Sequence, residues 1–132
     1  MNPVPLSITY RTKGKLSRLP FVPMKNALLG SHYELSLAVI GQKRMRNLNR
    51  VYRGEDSPTD ILSFSLSKNS GEIFLNLKKA EQKARSAGTP LRDYLGFLFI
   101  HGLLHLKGLS HSGIMKNEER TWCQKFSISL PE

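Results

Sequence analysis

The chain has 132 residues and a net charge of +10, with 20 Lys and Arg against 10 Asp and Glu. This length fits one domain with its own core, and the cationic excess favours a polyanionic partner, most often nucleic acid. The single cysteine, Cys123, excludes an internal disulfide and suits a reducing compartment. Residues 1–20 show no secretory pattern, and no apolar run approaches bilayer thickness, so we expect a cytoplasmic protein with no membrane partner.

The N-terminal third predicts two strands with a helix between them. Alternating apolar and polar residues predict strands from Val4 to Arg11 and from Tyr33 to Ile40. The intervening helix is expected from Ser17 to Leu29. Pro20 is tolerated in its first turn, whereas Pro23 leaves the first residue of the helix open. His32 follows the end of that helix, and we interpret it as a turn residue rather than a metal ligand.

A short basic helix is predicted from Gln42 to Val51, with Met45 and Leu48 as its apolar contacts. Its cations are either a solvated face or a contact for phosphates, which arginine grips with two N–H groups at once. In the second interpretation Arg46 and Arg50 are candidates for binding the phosphates of a nucleic acid. The basic side chains of this segment are Lys43, Arg44, Arg46, Arg50 and Arg53.

The remaining segments complete a single-domain α+β fold. Strands from Ile61 to Leu66 and from Glu72 to Leu77 are natural hairpin partners. Helices are expected from Leu77 to Ser86, from Leu91 to Leu106 and from Met115 to Ser127. We therefore expect a small mixed sheet of about four strands packed by about five helices, in an order that the sequence does not give.

The helix from Leu91 to Leu106 is apolar on nearly every side, which is typical of a buried central helix. Thr89 is expected as its N-cap and Pro90 as its first residue. Gly102 weakens the helix, and a close approach to a neighbouring element would explain its presence. In the last helix, Trp122 and Phe126 are expected to anchor the helix to the core. Nearby Cys123 is expected to be a small buried hydrophobic residue rather than a metal ligand.

Three of the four histidines fall within eleven residues at the end of this central helix. His101 and His105 are four apart and share one helix face, and Gly108 can end the helix so that His111 turns back towards them. A lone histidine on an apolar face is more often a core residue, but this spacing favours a metal site. Three neutral imidazoles leave a fourth position open, as in a catalytic zinc site.

The residue after the first histidine narrows the class of metal-dependent hydrolase that the sequence predicts. Zinc peptidases with an HExxH motif use the glutamate at that position as general base, whereas this chain has Gly102. A peptidase is therefore disfavoured, and the sequence predicts another metal-dependent hydrolase. Three imidazoles would also accept nickel, copper or iron, so the metal remains open.

Three blocks of the chain resemble the YbeY family of bacterial endoribonucleases. The histidine segment, HGLLHLKGLSH, is similar to the family's HGxLHLxGxDH. The segments Met45–Asn49, Tyr52–Gly54 and Pro58–Phe64 are similar to its MxxLNxxYRGxDxPTDVLSFP, and Gly71–Ile73 is a weaker third match. The blocks occur in the family's order over about half of the chain.

The resemblance implies an α+β domain with one zinc per chain, held by His101, His105 and His111. It implies cleavage of single-stranded RNA in late 3′-end maturation of small-subunit (16S) ribosomal RNA and in ribosome quality control. The expected partners are ribosomal RNA and the ribosome, with other assembly proteins possible and no DNA. Arg53 matches the family's functionally important arginine, and we expect it to hold the scissile phosphate.

The chain departs from the family pattern at two positions. Ser110 stands where the family has Asp, a residue that could orient a ligand or a water near the metal. Serine can hydrogen-bond there but brings no charge. Ser65 replaces a proline, which we expect to matter little. The loss of the Asp and the lack of an obvious protein base keep an alternative open, a zinc-bound ribosome assembly factor that binds RNA without cutting it.

Overall fold

Four strands form one mixed sheet in the computed structural model, which describes residues 6–109 and 113–131. They are β1 (Leu6–Tyr10), β2 (Glu34–Ile40), β3 (Ile61–Ser67) and β4 (Ser70–Asn76). The spatial order is β1–β2–β4–β3. Strands β1, β2 and β4 run parallel to one another, and β3 runs antiparallel to β4. The predicted hairpin of β3 and β4 is confirmed, and β3 forms one edge of the sheet.

Five helices are present in the same described residues, in agreement with the predicted α+β fold. They are α1 (Phe21–Leu29), α2 (Gln42–Arg53), α3 (Leu77–Ala87), α4 (Leu91–Leu106) and α5 (Gly113–Lys125). None of them is long and apolar enough to cross a membrane. His32 lies exposed in a turn between α1 and β2, as predicted.

Several helix boundaries differ from the predicted ones. Helix α2 ends at Arg53 rather than Val51, and α5 begins at Gly113 rather than Met115. Helix α3 extends one residue further than predicted, to Ala87. Helix α1 begins at Phe21 rather than Ser17, directly after Pro20, which lacks an N–H and occupies the N-cap position. The predicted cap of α4 is wrong, because Pro90 is the N-cap residue and makes no side-chain bond. Helix α5 ends at Lys125, two residues early, and Ser127 follows with a positive φ of 57°.

Helix α4 is the centre of the core. Its buried residues include Leu95, Phe99 and Leu103, which join a cluster with alternate residues of β2 and β4. The prediction of a buried central helix is therefore confirmed. The opposite face of the sheet carries a smaller cluster under α2, made by Ile40, Met45 and Leu62. Helices therefore pack against both faces of the sheet.

The close approach suggested for Gly102 is present. A Cβ atom on Gly102 would lie 3.0 Å from Ile61 Cδ1, Ile73 Cδ1 and Ser63 Oγ. Contacts this short leave little room for a side chain, so helix α4 packs with its backbone against β3 and β4. The adjacent residue, His101, is thereby held beside the edge strand.

Lys25 of α1 is fully buried, at 0% exposure. Its Nζ donates to the carbonyl oxygens of Tyr33 at 2.8 Å, Gly30 at 2.9 Å and Ser31 at 3.3 Å. These carbonyls belong to the turn between α1 and β2. The ammonium group therefore ties the end of the helix to the start of the central strand, and its own charge is compensated by three acceptors.

We expect Lys25→Met to lower the free energy of unfolding by about 2 to 4 kcal/mol, because it keeps the apolar stem but removes three hydrogen bonds from a charged donor. Urea unfolding would measure the change. Lys78→Met, at an exposed lysine of α3, is the matched control and should change stability by less than about 0.5 kcal/mol. Equal stability of the two variants would show that the buried bonds only offset the cost of desolvating the ammonium.

Candidate active site

The two histidines of α4 lie together, as their spacing predicts. The Nε2 atoms of His101 and His105 are 3.1 Å apart, and their ring centroids are separated by 4.6 Å. Both rings line a cleft of about 560 Å³ along the edge strand β3. Other residues at the wall of this cleft are Arg53, Thr59, Asp60, Ser63 and Ser65.

Glu119 of α5 is a site residue that was not predicted from the sequence. It is buried, and its Oε2 accepts a hydrogen bond from the Nδ1–H of His101 at 2.8 Å, in the tautomer that leaves the Nε2 lone pair facing His105. The signal was a carboxylate on an apolar stripe, since Met115, Glu119 and Trp122 recur at helical spacing. A charged residue on a buried face needs a partner, and His101 is that partner.

Asp60 is a second buried carboxylate at the wall of the cleft, and its sequence context predicted no role for it. Its Oδ2 accepts from Tyr94 Oη at 2.9 Å and from Lys83 Nζ at 3.2 Å. Burial, followed by the charge of Asp60 and the hydrogen bond to it, raises the pKa of Tyr94. The phenol therefore stays protonated and donates a hydrogen bond to the carboxylate. This bond holds Asp60 in place at the start of β3.

Arg53 is the last residue of α2 and lines the same cleft as the histidines. Gly54 follows in the left-handed conformation, with φ at 71°, and ends the helix there. The guanidinium is about half exposed and lies 3.9 Å from Glu55, a long contact in solvent. The cleft that His101 and His105 line therefore also contains a cation.

The other two arginines predicted to bind RNA are engaged with neighbours. Arg46 donates to both carboxylate oxygens of Asp56, at 2.8 and 3.0 Å, and this hydrogen bonding lowers the pKa of Asp56. Arg50 donates to Asn47 at 3.2 Å. Both pairs are exposed, so RNA phosphates could compete for these arginines. Their RNA contacts stay a prediction.

The described donors suit a zinc ion. In a tetrahedral site with Zn–N distances of about 2.0 Å, two imidazole nitrogens lie about 3.3 Å apart, close to the separation of the two Nε2 atoms. Among residues 6–109 and 113–131, no group of three His, Cys, Asp or Glu side chains could hold a metal ion. The third predicted ligand, His111, lies outside the described residues, as does Ser110.

Cys123 is buried in the core, as expected. Burial raises the pKa of its thiol to about 12, with smaller contributions from the charges of Glu119 and Asp93. Because thiolate is the form that attacks and binds metals, this cysteine is disfavoured as a nucleophile or ligand at neutral pH.

Comparison with protein families gives a match over most of the chain. The family model described as "Endoribonuclease YbeY" matches residues 18–127. Two similar relatives carry the same name. The protein of Geobacillus thermodenitrificans is 36% identical over 107 residues, covering 70% of this chain and 67% of its own. That of Pelotomaculum thermopropionicum is 34% identical over 118 residues, covering 81% and 76% respectively.

A solved structure supports the fold. The solution structure of TM1509 from Thermotoga maritima aligns with a TM-score of 0.63 at 22% sequence identity. The alignment covers 92% of this chain and 88% of the other. At this level of identity the likeness concerns the arrangement of helices and strands alone.

Proposed function

Since this chain belongs to the YbeY family of endoribonucleases, we propose that it is a metal-dependent endoribonuclease acting on single-stranded RNA. One observation carries the proposal. His101, His105 and Arg53 come from two different helices and line one open cleft. Two histidines that could ligate a metal, in one cleft with a cation, are an arrangement suited to phosphodiester cleavage.

The metal in this proposal is zinc, held by His101, His105 and His111. When bound, zinc supplies a Lewis acid and, at neutral pH, a hydroxide nucleophile. Glu119 orients the His101 ring through its Nδ1–H and favours the tautomer whose Nε2 can bind the ion. The proposal for His111 rests on its spacing and on the family resemblance. Ser110 would contribute at most an uncharged hydrogen bond near the metal.

Arg53 is proposed to hold the scissile phosphate. Its planar guanidinium can donate two parallel N–H groups to phosphate oxygens and stabilise the charge that develops on them during cleavage. Because the Arg53 side chain is half exposed, an RNA phosphate can replace Glu55 as its partner. Asp60 lies in the same wall, tied to Tyr94 and Lys83, so it is proposed to fix the start of β3 beneath the substrate.

We further propose ribosomal RNA as the substrate, in late 3′-end maturation of small-subunit RNA and in ribosome quality control. The net charge of +10 supports a polyanionic substrate, and the relatives' name supports RNA. An open cleft along a strand edge suits a flexible single strand, whose bases and phosphates can follow its contour. Association should weaken as salt rises, since counterion release contributes to binding.

Replacement of Arg53 tests the catalytic part of the proposal. Arg53→Ala should lower kcat for a labelled single-stranded RNA by about 100- to 1000-fold, the range for loss of one group that stabilises transition-state charge. Arg53→Lys should recover part of the rate, because it restores charge without two-point geometry. Arg44→Ala removes an exposed cation near the start of the same helix and should change kcat by less than about 3-fold.

Equal rates for Arg53→Ala and Arg44→Ala would contradict the role of Arg53. RNA binding without cleavage in wild type would favour the assembly-factor alternative.

Replacement of Glu119 tests the metal site without measuring activity. Glu119→Ala should weaken zinc affinity by about 10- to 100-fold, the usual cost of losing a carboxylate behind a ligating histidine. Glu119→Gln should lose less, because its amide oxygen can still accept from Nδ1. Glu118→Ala, at the preceding residue, is the control and should bind zinc as wild type does. Competition against a chromophoric chelator measures the affinity, and wild-type affinity in Glu119→Ala would contradict this account.

A further inference from the structure

Tyr52 is an aromatic residue at an exposed position beside the cleft. It precedes Arg53 in the last turn of α2, and 64% of its surface is exposed. Large aromatic side chains with polar tips are enriched where proteins bind partners. The proposed cleavage reaction assigns this ring no role.

The Tyr52 ring is supported from beneath. It contacts Phe64 of β3, with ring centroids 5.0 Å apart and an interplanar angle of 59°. Phe64 in turn packs edge-on against Phe74 of β4, at 5.8 Å. These contacts limit the motion of the ring while most of the residue remains open to solvent. A supported but exposed ring can stack on a planar ligand at little cost in conformational entropy.

The Tyr52 ring lies across the edge strand from the histidines. Ser63 and Ser65 line the cleft, whereas Phe64 between them packs into the cluster under α2, on the other face of the sheet. Arg53, the neighbour of Tyr52 in sequence, lines the cleft itself. A chain whose phosphate is held at Arg53 would therefore meet the Tyr52 ring as it passes over the rim of the cleft.

The positive charges of helix α2, which carries Tyr52, favour an anionic ligand. Helix α2 contains no acidic residue between Gln42 and Arg53, and its cations are Lys43, Arg44, Arg46, Arg50 and Arg53. A ligand with planar rings and repeated negative charge fits both features. Single-stranded nucleic acid has that composition, because its unpaired bases offer aromatic faces between phosphates.

We propose that Tyr52 is a stacking platform for one base of single-stranded RNA, adjacent to the phosphate held by Arg53. This inference rests on the proposed function and adds a binding subsite to it. Base stacking on an aromatic side chain is tolerant of sequence, since every base has a π-face. The subsite therefore favours unpaired RNA over duplex, whose bases are already stacked on one another.

Fluorescence anisotropy with a labelled single-stranded RNA tests the subsite, using protein as purified and a gel to confirm that the RNA stays intact. Tyr52→Ala and Tyr52→Leu should raise Kd by about 5- to 30-fold, the lower part of the range for loss of one stacked base. Tyr52→Phe keeps the ring and should bind within about 2-fold of wild type. Tyr10→Ala is the matched control, because Tyr10 is 45% exposed on β1, at the opposite edge of the sheet.

Two further probes separate stacking from other effects. An oligomer of the same length with abasic riboses should bind wild type and Tyr52→Ala equally. RNA with 2-aminopurine near its centre should lose fluorescence on binding wild type but much less on binding Tyr52→Leu. Wild-type affinity in Tyr52→Ala, or in Tyr52→Leu, would overturn the stacking subsite alone. Failure of the wild-type protein to bind any RNA would overturn the proposed function and the subsite with it.

Discussion

The packing of Gly102 against the edge of the sheet is the constraint on which the candidate site depends. Atoms of Ile61, Ile73 and Ser63 would each stand 3.0 Å from a Cβ at this position, so helix α4 approaches β3 and β4 with its bare backbone. This approach sets the position of His101 along the strand, and helical spacing places His105 one turn further on. A side chain at this position would require the ends of the Ile61, Ile73 and Ser63 side chains to shift by a few tenths of an ångström.

The cleft is assembled from elements that are distant in sequence, and buried polar contacts fix their relative positions. Glu119 of α5 accepts a hydrogen bond from His101. Tyr94 of α4 and Lys83 of α3 both contact the carboxylate of Asp60 and fix it at the start of β3. Each of these carboxylates would be costly to bury alone, so its partner must stay in place for the fold to be stable. The same contacts therefore stabilise the fold and orient the cleft.

Features that depend on local pattern could be predicted from the sequence. Helix α4 has the predicted bounds because its apolar run is long, and the β3–β4 hairpin follows from two short strands around a polar turn. Features that depend on distant contacts could not be predicted. The apolar stripe around Glu119 indicates burial but does not identify His101 as its partner, and Lys25 resembles a surface lysine until three carbonyls surround it. The prediction of Thr89 as the N-cap of α4 was wrong because Pro90 itself is the N-cap residue.

Metal content is the most direct test of the central claim, that His101 and His105 are ligands of a catalytic zinc. Elemental analysis should be made on untagged wild-type protein, on His105→Ala, and on His32→Ala, which removes an exposed turn histidine. We expect about one zinc per chain in wild type and in His32→Ala, and loss of zinc in His105→Ala. Equal metal in all three, or none in any, would contradict the claim and leave the two histidines as wall residues of an RNA-binding cleft.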